Sequence, residues 1–214
     1  MFKKTCLALA LVGAAAAAHA GPTLINEGFD DVASLAAKGW KIENHGSPAG
    51  AIEPWYQGNV STGFTDLHGD PTAYVAAQYG AVAAGGILSS WLISPVFSTA
   101  ENLEVSFWAR GDGTPGYIDQ LAYGLLDVSG AFTSFIPQAA ITVVGEWTRY
   151  SFQLAGQGAG SSARFAIQYF GNGDEANVVG VDDVAINVPE PSTWALAGVS
   201  LLGLVAARRR RTQA

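Results

Sequence analysis

Between Gly21 and Val188 the chain alternates apolar and polar residues with a period of two. Leu103, Val105, Phe107 and Ala109 interleave with Glu104, Ser106, Trp108 and Arg110. Thr148, Tyr150, Phe152 and Leu154 interleave with Trp147, Arg149, Ser151 and Gln153, and Ala163, Phe165, Ile167 and Tyr169 with Arg164, Ala166, Gln168 and Phe170. Successive side chains of a strand point to opposite faces, so this pattern predicts half-buried strands of an antiparallel sheet. Shorter strands are expected at Trp40 to Asn44, Ala73 to Tyr79, Ile87 to Ile93, Ile118 to Leu126, Ala140 to Val144 and Val178 to Val188. Glycine-rich turns separate them at Gly111 to Gly116, Gly156 to Ser162 and Gly171 to Asp174. Asp31 to Lys38 alone reads as a helix, with Asp31 as its cap and Gly39 just past its end. Many short strands and almost no helix predict an all-β fold, a sandwich or barrel. The 168 residues of this segment suffice for one domain with a real core, and no repeat or second domain is evident.

Both ends of the chain read as targeting segments. Lys3 and Lys4, an apolar run from Leu7 to Ala18 and the small-x-small site Ala18-His19-Ala20 form a secretory signal peptide over residues 1–20. The other end runs Pro189-Glu190-Pro191, then an apolar stretch from Ala195 to Ala207, then Arg208, Arg209, Arg210 and Arg211. A helix over about residues 193–207 spans roughly 21 Å at ~1.5 Å per residue, short of a ~30 Å hydrocarbon core. The arginines extend that reach by snorkelling and act as a cytoplasmic stop. Motif, apolar run and arginine tail together resemble the PEP-CTERM sorting signal, over residues 188–214. The resemblance implies an inner-membrane intermediate, processing by an exosortase, and delivery to the cell surface or exopolysaccharide matrix of a Gram-negative bacterium.

Removing both ends changes the charge. Lys38, Lys41, Arg110, Arg149 and Arg164 are the five basic residues left, against 17 of the 18 acidic ones, since Glu190 goes with the sorting segment, so the formal charge falls from −7 to −12. Nucleic acid is excluded as a partner, because its binding depends on Lys and Arg at the phosphates. Cys6 is the single cysteine and lies in the signal segment, so the exported part has neither a disulfide nor a thiol nucleophile.

A second resemblance covers nearly all of the exported segment. It is carried in order by Asn26-Glu27-Gly28-Phe29-Asp30-Asp31, Gly39-Trp40, Trp55, Ala73-Tyr74, Trp91-Leu92-Ile93-Ser94-Pro95, Ser106-Phe107-Trp108-Ala109-Arg110, Trp147, Ala163 to Tyr169, and Val181-Asp182-Asp183-Val184. This order resembles the choice-of-anchor J, or cleaved-adhesin-like, domain, here over residues 21–187. The resemblance implies a jelly-roll-like antiparallel β-sandwich on a bacterial surface, akin in shape to carbohydrate-binding modules, and structural calcium. The helix over Val32 to Lys38 departs from it, since relatives more often have a short turn there. First and last strands of a jelly roll lie side by side, which would bring Glu27 and Asp30 to Asp182 and Asp183 as hard oxygen ligands for Ca2+. A separate loop, Asp66-Leu67-His68-Gly69-Asp70, sets two carboxylates and a histidine together; it reads first as a polar turn and second as a metal site.

Tryptophan and tyrosine faces stack on sugar rings, and Trp55, Tyr56, Trp108 and Trp147 are the candidate ligand contacts. Trp108 and Trp147 alternate onto the polar strand faces, and Trp55 and Tyr56 fall in the long loop region before Ala73. Catalysis is not expected: no G-x-S-x-G elbow or H-E-x-x-H helix is present, and His45 and His68 are the exported histidines. The reading is therefore an exported, non-catalytic protein for adhesion or association with extracellular polysaccharide. The alternative is a structural matrix component acting through an acidic, calcium-bridged surface, and the third reading is a polysaccharide-active enzyme.

Overall fold

The computed structural model describes residues 21–189. The signal segment, Glu190, Pro191, the membrane helix expected at about 193–207 and Arg208 to Arg211 lie outside the described residues; Pro189 lies at their edge. The strands, in chain order, are β1 (Thr23–Glu27), β2 (Lys41–Asn44), β3 (Ser47–Ala49), β4 (Tyr56–Gln57), β5 (Val75–Gln78), β6 (Val82–Ile93), β7 (Phe97–Ser98), β8 (Leu103–Gly111), β9 (Gln120–Leu126), β10 (Ile136–Thr142), β11 (Thr148–Leu154), β12 (Ser162–Asn172) and β13 (Val178–Asn187). They pair antiparallel into two sheets. A six-stranded sheet runs β11-β8-β13-β5-β4 with β1 also on β13, and a seven-stranded sheet runs β10-β9-β12-β6-β2 with β3 on β6 and β7 on β12.

The expected alternation sets the core. Leu103, Val105, Phe107 and Ala109 of β8 face Ala163, Phe165, Ile167 and Tyr169 of β12 in one buried cluster between the sheets. Its centre is aromatic: Phe107 meets Tyr123 edge-on at 5.0 Å and stacks on Tyr150 at 5.6 Å. Such pairs contribute about 0.5–1.5 kcal/mol each beyond area burial. Residues Pro22–Pro189 form one compact unit around this core.

The expected helix at Asp31 to Lys38 is corrected to a single 3-10 turn at Val32–Ser34 followed by further turn. Asp31 makes no side-chain cap bond. Leu35 alone of the segment is buried, so there is no apolar stripe to stabilise so short a helix against its nucleation cost.

Each sheet also has an outer face partly covered by a loop. On the seven-stranded sheet, Trp91, Ile93, Leu126 and Ala166 form a second apolar cluster closed by Phe135, which meets Trp91 edge-on at 4.9 Å. On the six-stranded sheet, the segment 58–73 lies over a smaller cluster of Phe64, Tyr74, Ala76 and Val178, with Tyr56 and Trp147 at its margin. This second cover positions the candidate site.

Candidate functional site

The site is built at an irregularity in β13. Val178 to Val181 pair with β5, and Val184 to Asn187 pair with β1, so the strand changes partner on one side between them. Its register with β8 shifts at the same place, between Asp182 and Ala185. The extra residue there is Asp183, in the left-handed region at φ 47°. A bulge of this kind moves the inward set by one, and the core residues of β13 are Val179 and Val181 before it and Val184 and Ile186 after it. Asp tolerates left-handed backbone better than most residues, which makes the position an apt one for it.

The loop 64–70 closes over this gap. Leu67 donates its backbone N–H to Asp182 Oδ2 at 3.2 Å, and His68 Nε2 lies 3.2 Å from Asp183 Oδ2. Asp66 is buried, and its Oδ1 accepts from the N–H groups of His68 (2.9 Å) and Asp70 (2.6 Å), which holds the loop in shape. Asp182 is buried too, and its Oδ1 accepts from the Asp183 N–H at 2.7 Å. Burial pushes the Asp182 carboxyl up to about 6, the negative charges of Asp183 and Asp66 add to the rise, and the bonds from Leu67 and Asp183 oppose it. The result is an acidic node that takes up a proton just below neutral pH beneath a polar loop.

The four expected calcium ligands do not all meet there. Asp182 and Asp183 do, and they meet Asp66 and His68, which the sequence pattern placed in an unrelated turn. Glu27 is beside β13, paired with Val184, but both its oxygens are taken by the Lys38 ammonium at 2.9 and 3.1 Å. Glu27 Oε1 also accepts from the N–H of Phe29, whose left-handed backbone (φ 57°) points a fully buried ring edge-on to Trp40 at 5.4 Å. Glu27 thus braces the turn after β1, and Asp30 is exposed to solvent. Among the described residues no group of three or more His, Asp or Glu side chains is disposed to hold a metal ion as it stands. Sequence reasoning overlooked the Glu27–Lys38 pair; the signal was the scarcity of lysine in so acidic a segment.

The aromatic candidates separate into three roles. Trp55 is corrected from ligand contact to core: it is 2% exposed and packs within the main cluster between the sheets. Tyr56 and Trp147 are half-buried supports of the loop cover. Burial pushes the Tyr56 hydroxyl up to about 12, with Tyr74 adding to it. Trp147 donates its indole N–H to Thr65 O at 3.0 Å and meets Phe64 and Tyr74 edge-on, each at 5.9 Å. Gly180 beneath them has no room for a side chain, since a Cβ would come within 2.7 Å of Phe64 and 3.0 Å of Trp147. Trp108 is different. It stands on the outer face of β8, partly buried, directly across from Arg149 of β11 and Asp182 of β13. Arg149 in turn pairs with Glu104 of β8 at 2.8 Å. An indole beside an exposed guanidinium can stack on an apolar ring face while that neighbour bonds hydroxyls.

Comparison with known proteins agrees with this architecture. Residues 187–211 match the PEP-CTERM protein-sorting motif. The fold is similar to the K1 cleaved adhesin domain of Lys-gingipain from Porphyromonas gingivalis W83, with a TM-score of 0.59 and 16% identity over 78% of this chain and 99% of that one. The K3 domain of the same protein gives a TM-score of 0.57 at 16% identity, covering 78% of this chain and 98% of that one. The K2 domain gives 0.54 at 18%, covering 76% and 98%. No curated protein matches the chain. The fold is thus a two-sheet antiparallel sandwich of the jelly-roll-like, cleaved-adhesin kind, as expected for a choice-of-anchor J-like domain. It is joined to a motif that marks an exported protein sorted by exosortase.

Proposed function

We propose that the exported domain is a non-catalytic surface-association module that holds extracellular polysaccharide against the outer face of its six-stranded sheet, with Trp108 as the stacking platform. The observation that carries this reading is Trp108, partly accessible on the outer face of β8 directly across from the exposed Arg149 of β11. Pyranose rings offer an apolar face to an indole and hydroxyls to the charged groups beside it, and ligand sites characteristically combine aromatic surface with a few placed polar groups. The acidic surface of the domain disfavours polyanions. After processing, the module works at the cell surface or in the surrounding polysaccharide matrix of a Gram-negative cell. A glycan array probed with residues 22–189 tests this: binding is expected, and Trp108→Ala is expected to abolish it. Release of reducing ends from a bound polysaccharide would contradict the non-catalytic role.

A second reading, a matrix component bridged by calcium, is favoured by the acidic node. Asp66, Asp182 and Asp183 supply hard oxygen atoms, and a divalent cation beside them would offset the burial, and the smaller repulsion from Asp183 and Asp66, that raise Asp182. A higher melting temperature and self-association in millimolar calcium, reversed by EDTA and without glycan binding, would favour it. No response to calcium would remove it.

A further inference from the structure

At the edge of the sandwich away from β1, the turn after β5, the start of β6, the loop 112–118 and the turn before β13 enclose a cleft of about 370 Å³. That volume lies within the ~300–1,000 Å³ typical of small-molecule sites. Two tyrosines line it, Tyr79 at 50% and Tyr117 at 47% exposure, with Asp174 and Asn177 between them. Neither tyrosine contributes to the core clusters, so their aromatic faces are held in solvent without a packing role.

The cleft walls are tied to one short segment. Tyr79 donates its backbone N–H to Asn177 O at 2.9 Å, Ile118 donates to Glu175 O at 2.7 Å, and Gly85 donates to Asp174 Oδ1 at 2.9 Å. Asn177 is anchored from behind, its backbone N–H on the buried Asp119 at 2.8 Å and its carboxamide on Asp112. Asp119 also accepts from the Tyr169 hydroxyl at 2.6 Å, which fixes this assembly to β12. Gly173 permits the close approach, because a Cβ there would come 2.7 Å from Val82. A preformed cleft binds without the cost of ordering its walls.

We infer that this cleft is a second carbohydrate site, in which Tyr79 and Tyr117 grip a neutral sugar unit of a polysaccharide chain. Asp174 and Asn177 supply bonds to its hydroxyls. The inference rests on the polysaccharide-binding reading above and adds to it a selectivity. The lining holds a carboxylate and no lysine or arginine, with Asp112 behind it, so a uronate is repelled and a neutral hexose is accepted.

Affinity electrophoresis of residues 22–189 in gels containing a neutral β-glucan, a neutral galactomannan or polygalacturonate tests it. Retardation by a neutral polymer and none by polygalacturonate is expected. Tyr79→Ala and Tyr117→Ala are each expected to weaken that retardation about tenfold or more, as loss of an aromatic anchor does, with melting temperatures unchanged because both side chains are half-exposed. If both variants are retarded like the wild type while Trp108→Ala is not, the cleft is overturned and the Trp108 face stands. If polygalacturonate retards the protein best, the selectivity is overturned. If no polymer retards the wild type, both readings fall.

Discussion

The two outer faces of this sandwich are built on one plan and finished differently. Each has a loop laid over aromatic residues of the strands. On the seven-stranded sheet, Trp91, Ile93, Leu126 and Ala166 are buried under Phe135, and basic side chains pin the cover: Arg164 donates to Val128 O at 3.0 Å and Lys41 to Ser129 O at 2.7 Å. On the six-stranded sheet the cover is held by an aromatic hinge at Trp147 and by hydrogen bonds to buried acids. The first face is closed by dry packing, which has no response to solvent conditions. The second is held by groups that titrate and leaves an indole within reach. Under the proposed role, structure and function are divided between faces.

The sharpest way to break this comparison is to truncate the tryptophan of each face. Trp91→Ala removes a buried aromatic and is expected to cost about 3–5 kcal/mol, lowering the melting temperature by roughly 10 °C for a domain of this size. Trp108→Ala, at a partly buried indole, is expected to cost less, about 1–2 kcal/mol. Equal losses in thermal unfolding would mean that both faces are structural.

Gly180→Val tests the aromatic hinge. The added side chain collides with Phe64, Trp147 and Tyr74, and overpacking of this kind costs about 1–3 kcal/mol. The expected signature is faster proteolysis within the segment 58–73, with the cover of the opposite face unaffected.

A comparable effect, up to about 3 kcal/mol, belongs to Asp182. Its carboxyl is raised to about 6 in the folded state, against about 3.9 when unfolded. The folded state therefore binds the extra proton between about pH 4 and pH 6. The stability from this group is fully present below about pH 4 and is lost as pH rises through 6. Asp182→Asn is expected to flatten stability over this window and to melt higher at neutral pH, less about 1 kcal/mol for a weakened bond to Leu67. A wild-type profile that rises from pH 4 to pH 6, with the rise intact in the variant, would exclude Asp182 as the source of pH sensitivity.

The strand alternation made most of the sandwich readable. Leu103 to Ala109 and Ala163 to Tyr169 point inward as their spacing demanded, because period two leaves a strand no other way to bury one face. The Asp31 to Lys38 segment misled because capping residues signal a helix without requiring one. Trp55 misled because composition cannot tell a loop aromatic from a core one when the chain folds back over it. The acidic node was half readable: Asp182 and Asp183 were evident as a pair, while the arrival of Asp66 depended on a long loop whose path no local pattern encodes. Tyr79 was expected as the last residue of a strand and opens a turn after β5 instead, and Tyr117 lay in a loop with no periodic signal.

The most direct test of the open face is acrylamide quenching of tryptophan fluorescence in residues 22–189, with and without a polysaccharide that the protein retains. Trp108 and Trp147 are expected to share the quenchable emission, the Trp108 component being the one that disappears in Trp108→Phe, and bound polysaccharide is expected to shield that component. Quenching that is unchanged by saturating polysaccharide would show that the ligand does not sit on this face, and would contradict the account.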